Sequence, residues 1–308
     1  MINSGNKKQN IATNFPSQDG GFLYTFIIVS VLFVSIIFSA ILSVVLASNP
    51  NFIGEDVYII ISYFLGPVAL FFAIGVLRYK TKKPIIKPIF AKKIDKKALI
   101  ATVFIALGLM FGLSELNVIF VDLLKSINLT VKEPSLPKAS TLNVILIIVS
   151  ACVLPAILEE IAFRGIILNS LSRTGVVFAV IISGVLFSLF HMSPAQTIYQ
   201  FLVGAIYSLI VIYGGNVIFV IIAHFINNLY VVLNYYYFNF TLQGGPLIAI
   251  TILGVISLLF GIFILVYNRK PIYVAPEERK QNRLNFLLCA LIGLVATIVI
   301  WLQGLING

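Results

Sequence analysis

Residues 142–168 read "LNVILIIVSACVLPAILEEIAFRGIIL". A run of that length exceeds the roughly 20 apolar residues that carry a helix through a hydrocarbon core of about 30 Å, so it reads as a membrane span. It nevertheless encloses three ionisable groups, Glu159, Glu160 and Arg164. Such groups are costly inside a bilayer and are kept there for pairing or for function.

The surroundings are of the same kind. The 308 residues are 60% hydrophobic and 10% charged, with a mean hydropathy of +1.06, outside the balance of soluble domains. Further apolar stretches lie at 22–48, 57–77, 98–121, 176–191, 197–213, 217–236, 247–267 and 284–306. Those at 176–191 and 197–213 are short, so eight to nine spans are expected and the fold class is all-α, a polytopic membrane helix bundle. The first run follows a polar lead and is too long for a signal-peptide core, so it is expected to remain as a span. Cys152 and Cys289 sit in apolar runs without CxxC or metal-ligand spacing and imply no disulfide framework.

A net charge of +10 does not point to nucleic acid, because nine Lys/Arg residues fall within "RYKTKKPIIKPIFAKKIDKK", residues 78–97. That is the pattern of a cytoplasmic loop under the positive-inside rule, and it could also bind anionic lipid. With nine spans, the N-terminus with Lys7 and Lys8, Arg173 and the loop "RKPIYVAPEERKQNR" (269–283) fall on the same side. Seventeen of the 21 Lys/Arg are then inside, and only Lys125, Lys132 and Lys138 are outside, Arg164 being within a span. The aromatic cluster "NYYYFNF" (234–240) and Trp301 fall where an outer interfacial belt would sit. The chain divides into a cytoplasmic tail (1–21), N-terminal spans with the basic loop (22–141), a central core (142–236) and C-terminal spans (237–308).

Few polar groups lie inside the spans: Glu115, Glu159, Glu160, Arg164, the chain's two histidines His191 and His224, and Asn228. Glu160 and Arg164 are four apart with the acid first, the favourable order for a helical ion pair. Glu159 is turned about 100° away and is left free to face an intramembrane active-site cavity. The pair could equally serve only to fix this helix against its neighbours. Phe187 and His191 (F-x-x-x-H) share one helix face, as do His224 and Asn228 (H-x-x-x-N). Glu115 could be protonated, could bond to Ser114 or Asn117, or could line the cavity.

A carboxylate and an imidazole converging on water make a general base with an orienting partner, while a second imidazole and an amide can donate to a developing oxyanion. That set suits hydrolysis of a carbonyl compound by activated water. No metal is assigned, but Glu159, His191 and His224 could hold a zinc ion as a His₂Glu set with an open position for water. The HExxH spacing of common zinc proteases is absent.

Three motifs stand in order on successive apolar helices: Glu159-Glu160-Ile-Ala-Phe-Arg164, Phe187-Ser-Leu-Phe-His191 and His224-Phe-Ile-Asn-Asn228. In this the chain resembles the CPBP family, the CAAX-protease and bacteriocin-processing (Abi) enzymes marked by E-E-x-x-x-R, F-x-x-x-H and H-x-x-x-N. The resemblance covers 142–236. It implies an intramembrane endopeptidase, of glutamate type or metalloprotease type, acting on a membrane-associated peptide or protein. It further implies that Glu159 and His191 activate water, that His224 and Asn228 stabilise the oxyanion, and that Glu160, Arg164 and Phe187 support them. An integral protein of a bacterial cell membrane is expected, with the lipid bilayer and a peptide substrate as partners. Two other readings use the same residues: a non-catalytic scaffold or bacteriocin self-immunity protein, and a proton-coupled transporter.

Overall fold

The computed structural model describes residues 15–49, 52–85, 95–129, 131, 134–239, 241–267, 269 and 274–306. Among them are nine helices and no strand: α1 Ser17–Ser48, α2 Glu55–Thr81, α3 Lys96–Ser126, α4 Thr141–Ser170, α5 Val176–Phe190, α6 Pro194–Gly214, α7 Ile218–Phe238, α8 Gly244–Val266 and α9 Pro276–Ile306. Eight are long and apolar enough to cross a membrane. The ninth, α5, has 15 residues and spans about 22 Å at 1.5 Å per residue, short of the hydrocarbon thickness. The stretch at 197–213 is longer as a helix than its apolar run, because a 3₁₀ turn at Pro194–Gln196 extends it at one end. Gly215, at φ 77°, closes the other end with its N–H on the Val211 carbonyl.

α1 starts at Ser17, inside the polar lead. The expected tail and basic loop lie partly outside the described residues, at 1–14 and 86–94.

The helices associate through small residues, as expected where lipid removes the hydrophobic drive between them. α1 packs on α9 with Thr25 Oγ1 donating to the Cys289 carbonyl at 2.7 Å, and a side chain at Gly293 would meet Thr25 Cα at 2.8 Å. α3 meets α8 where Gly112 faces Gly254, and Ser257 donates to the Phe104 carbonyl at 2.8 Å. α5 lies on α6 across Gly184 and Gly204. α4 and α7 pack together, and α2 contacts both α1 and α4, which also touch each other directly.

The loops expected on one side do gather at one end. Lys83 after α2 pairs with Asp19 of α1 at 2.8 Å, Arg173 after α4 pairs with Glu278 of α9 at 3.6 Å, and Arg283 donates to the Thr174 carbonyl at 2.9 Å. At the opposite end the Lys138 N–H meets Asp56 at 2.9 Å, and the Tyr236 hydroxyl donates to the Pro137 carbonyl at 2.9 Å. Tyr235, Tyr237 and Phe238 are exposed there, as a belt requires, whereas Trp301 spends its indole N–H on Thr197 Oγ1 at 2.7 Å.

Asp95 joins two helices at the basic end. It caps α3 by accepting from the Lys97 N–H at 3.0 Å and binds the Arg269 guanidinium beyond α8. The Arg269 hydrogen bond, more than the capping N–H groups, holds its carboxyl below the usual carboxylate range. Asp95→Ala is expected to remove about 1 kcal/mol, as for other lost caps, seen as a lower thermal midpoint in detergent. The group's folded pKa is depressed, so this contribution is present above the unfolded carboxyl pKa and disappears as pH falls through the folded one. Wild type and variant should therefore converge in acid, and a constant gap down to low pH would contradict the assignment.

Candidate active site

Glu159 and Glu160 end the central α-helical stretch Leu154–Glu160 of α4, which lies between two wider π-helical segments, Ile148–Val153 and Ile161–Ile167. Pro155 at the first junction has no N–H to donate, so the regular α ladder is broken there. Arg164 falls in the second segment and still reaches back: its Nη1 donates to Glu160 Oε1 at 2.9 Å. The expected ion pair is formed, with Arg164 1% and Glu160 0% exposed.

The same Glu160 oxygen has a second partner. His224 Nδ1, from α7, lies 2.9 Å from it. A carboxylate accepts, so Nδ1 carries the proton, and Nε2 makes no hydrogen bond among the described residues. The pair is thus a triad, Arg164–Glu160–His224, tying α4 to α7.

Phe187 of α5 organises what surrounds it. The Arg164 guanidinium stacks 4.2 Å above the Phe187 ring, with Tyr207 of α6 on another side at 5.5 Å. The His191 ring contacts Phe187 at 5.0 Å and the His224 ring at 6.1 Å. Phe187 therefore contacts both histidines as well as the arginine. The close approach of α6 depends on Gly204: a Cβ there would meet Gly184 Cα at 2.8 Å and Phe187 Cβ at 3.0 Å.

His191 stands just past the end of α5, partly buried, with Nδ1 2.8 Å from the Phe187 carbonyl. A carbonyl only accepts, so Nδ1 holds the hydrogen and Nε2 presents a lone pair in the neutral ring. Glu159 is 7% exposed, and its Oε2 is buried with no hydrogen-bond partner among the described residues. A buried carboxylate oxygen without a donor is costly, and at a site it is a place held for another group. Among the described residues Asn228 makes no hydrogen bond to the triad. Its Nδ2 donates to the Ala151 carbonyl at 2.9 Å and its Oδ1 accepts from Asn227 at 3.3 Å, so one amide N–H stays available.

Glu115 is half-buried and bonds to neither Ser114 nor Asn117; Asn117 instead engages Ala195 and Tyr199 of α6. Tyr207, Tyr199 and Asn227 escaped the motif reading. The one sequence signal for them was Asn227 standing beside Asn228.

Among the described residues, no three of the His, Cys, Asp and Glu side chains stand close enough together to hold a metal ion. In this arrangement Glu159, His191 and His224 do not fit the His₂Glu set.

No curated protein and no solved structure matches the chain. A family model does, over residues 141–230, described as Type II CAAX prenyl endopeptidase Rce1-like. That stretch runs from the start of α4 into α7 and contains all three motifs. The chain is a polytopic helical membrane protein whose residues 141–230 are similar to the Rce1-like type II CAAX prenyl endopeptidases.

Proposed function

We propose that this protein is an intramembrane endopeptidase that hydrolyses a peptide bond in a membrane-associated peptide or protein. The observation that carries the proposal is that Glu159, with its buried Oε2 unpartnered, makes no hydrogen bond or ion pair among the described residues, whereas its neighbour Glu160, although its Oε2 is also unpartnered, is paired through Oε1 with both Arg164 and His224. Glu160 is held by Arg164 and His224, so Glu159 is the carboxylate left to act as a base.

In the proposed reaction a water molecule sits between Glu159 and His191 Nε2. Glu159 takes a proton from it, and the resulting hydroxide oxygen bonds to the scissile carbonyl carbon. The carbonyl π electrons move to oxygen, where His224 Nε2–H and the free Asn228 N–H donate to the oxyanion. The C–N bond then breaks as the oxyanion collapses and Glu159 passes its proton to the leaving amine, giving a carboxyl and a free amino terminus. For His224 to donate from Nε2 while Nδ1 is held by Glu160, the ring must be an imidazolium. Two carboxylates, one guanidinium and one imidazolium sum to zero, which is what a buried cluster within a membrane favours.

The basic end, in this proposal, faces the cytoplasm, and with it the N-terminus. Cells carrying wild-type protein or Glu159→Gln at equal abundance are compared by their peptides and surface proteins. Wild-type-dependent cleavage products support the reading, and identical profiles overturn it. With such a product as substrate, cleavage is expected to survive exhaustive chelation without stoichiometric metal in elemental analysis. Activity lost on chelation and restored by zinc would require a metal-dependent mechanism. A wild-type phenotype in the His191→Ala/His224→Ala variant would favour a non-catalytic scaffold instead, and substrate-driven proton flux in proteoliposomes a transporter.

A further inference from the structure

Four helices meet at Asn228 through hydrogen bonds that permit one orientation of its carboxamide. Asn228 Nδ2 donates to the Ala151 carbonyl of α4 at 2.9 Å. Since a carbonyl cannot donate, this bond decides which end of the amide is nitrogen. Asn228 Oδ1 then accepts from Asn227 Nδ2 at 3.3 Å, and Asn227 Oδ1 accepts from the Tyr199 hydroxyl of α6 at 2.6 Å. Tyr199 is itself anchored, its backbone N–H donating to Asn117 Oδ1 of α3 at 3.3 Å. A flipped Asn228 would set nitrogen against nitrogen at Asn227 and oxygen against oxygen at Ala151.

The acceptor on α4 has a cause in the sequence. In a regular α-helix the carbonyl of Ala151 takes the N–H of residue 155, and that residue is proline. The α-type bond cannot form, the helix widens into π turns over Ile148–Val153, and Asn228 occupies the released carbonyl.

We propose that Tyr199, Asn227 and Pro155 are positioning residues that lock the Asn228 carboxamide, so that one N–H is spent on Ala151 and the other is held for the oxyanion. This rests on the endopeptidase reading. Pro155 opens the acceptor on one side, and the Tyr199–Asn227 relay fixes the oxygen on the other.

The test uses full-length protein in nanodiscs with ¹⁵N-labelled asparagine. The Asn228 side-chain amide is assigned as the signal missing in Asn228→Ala, and its hydrogen exchange is measured. Tyr199→Phe is expected to accelerate that exchange about fivefold or more, the effect of losing one net hydrogen bond. Tyr213→Phe, whose hydroxyl makes no hydrogen bond among the described residues, should leave it unchanged.

On a product peptide from the comparison above, Tyr199→Phe is expected to lower kcat about tenfold with KM within twofold, and Asn228→Ala to lower kcat about 100-fold. The double variant should be no slower than Asn228→Ala alone, because the relay acts only through that amide. Pro155→Ala should lower kcat in the same sense without lowering the thermal midpoint. Unchanged exchange in Tyr199→Phe, or losses that multiply in the double variant, would overturn the proposal. Absence of cleavage by the wild type would instead count against the endopeptidase reading, and the exchange measurement would still decide the lock.

Discussion

Glu159→Gln is expected to fold and insert normally while losing about 10²–10⁴-fold in cleavage rate, the range supplied by a positioned general base. Glutamine has the size and shape of glutamate, and Glu159 Oε2 has no hydrogen bond to lose. Because packing is kept, the thermal midpoint in detergent should stay close to that of the wild type. The neighbouring substitution should behave differently. Glu160→Gln keeps an acceptor oxygen but withdraws the negative charge that faces Arg164 and His224 and should lower the midpoint. A Glu159→Gln protein that cleaves at the wild-type rate would remove this residue from the chemistry.

Arg164→Ala is expected to have the largest effect on stability, about 3–5 kcal/mol, because it takes the guanidinium from Glu160 and leaves the buried cluster with an uncompensated negative charge. Lysine should not rescue it. The guanidinium is planar, lies on the Phe187 ring at 4.2 Å and presents Nη1 to Glu160 at 2.9 Å, and an ammonium cannot supply both contacts. Thermal midpoints and proteolysis of detergent-solubilised protein measure the effect; a loss under 1 kcal/mol would mean that the site is wetter than its burial indicates. In Glu160→Leu/Arg164→Met the charges are removed together and packing is kept, so stability should partly return. Cleavage should not return, since His224 would lose the carboxylate that orients it.

These expectations separate what the chain shows on its own from what only folding reveals. The i, i+4 spacing of Glu160 and Arg164 is a local property of a helix, and the pair is found as expected. The span count was legible because membrane thickness sets helix length, with α5 the one element whose 15 residues stay ambiguous. The bond from His224 to Glu160 joins residues 64 positions apart. No helical periodicity contains it, because it depends on how α7 is rotated against α4. The same holds for Tyr199 and Asn227, whose neighbours become known only once α3, α6 and α7 are packed. Pro155 is different: it stood in view as a helix breaker, but the use made of the carbonyl it releases lies on another helix.

The pairing of α1 with α9 has a consequence for biogenesis. A chain made at about 5–20 residues per second takes roughly 10–50 s to extend from the end of α1 to the start of α9. During that interval Gly20, Gly21 and Thr25, which later lie against α9, are open to lipid or to the insertion machinery. The stretch from α4 to α7, which holds every motif residue, is complete well before the closing helix emerges. The clasp between α1 and α9 can therefore form only after the helices that carry the motifs have emerged, and the reactive core is built before that contact is made.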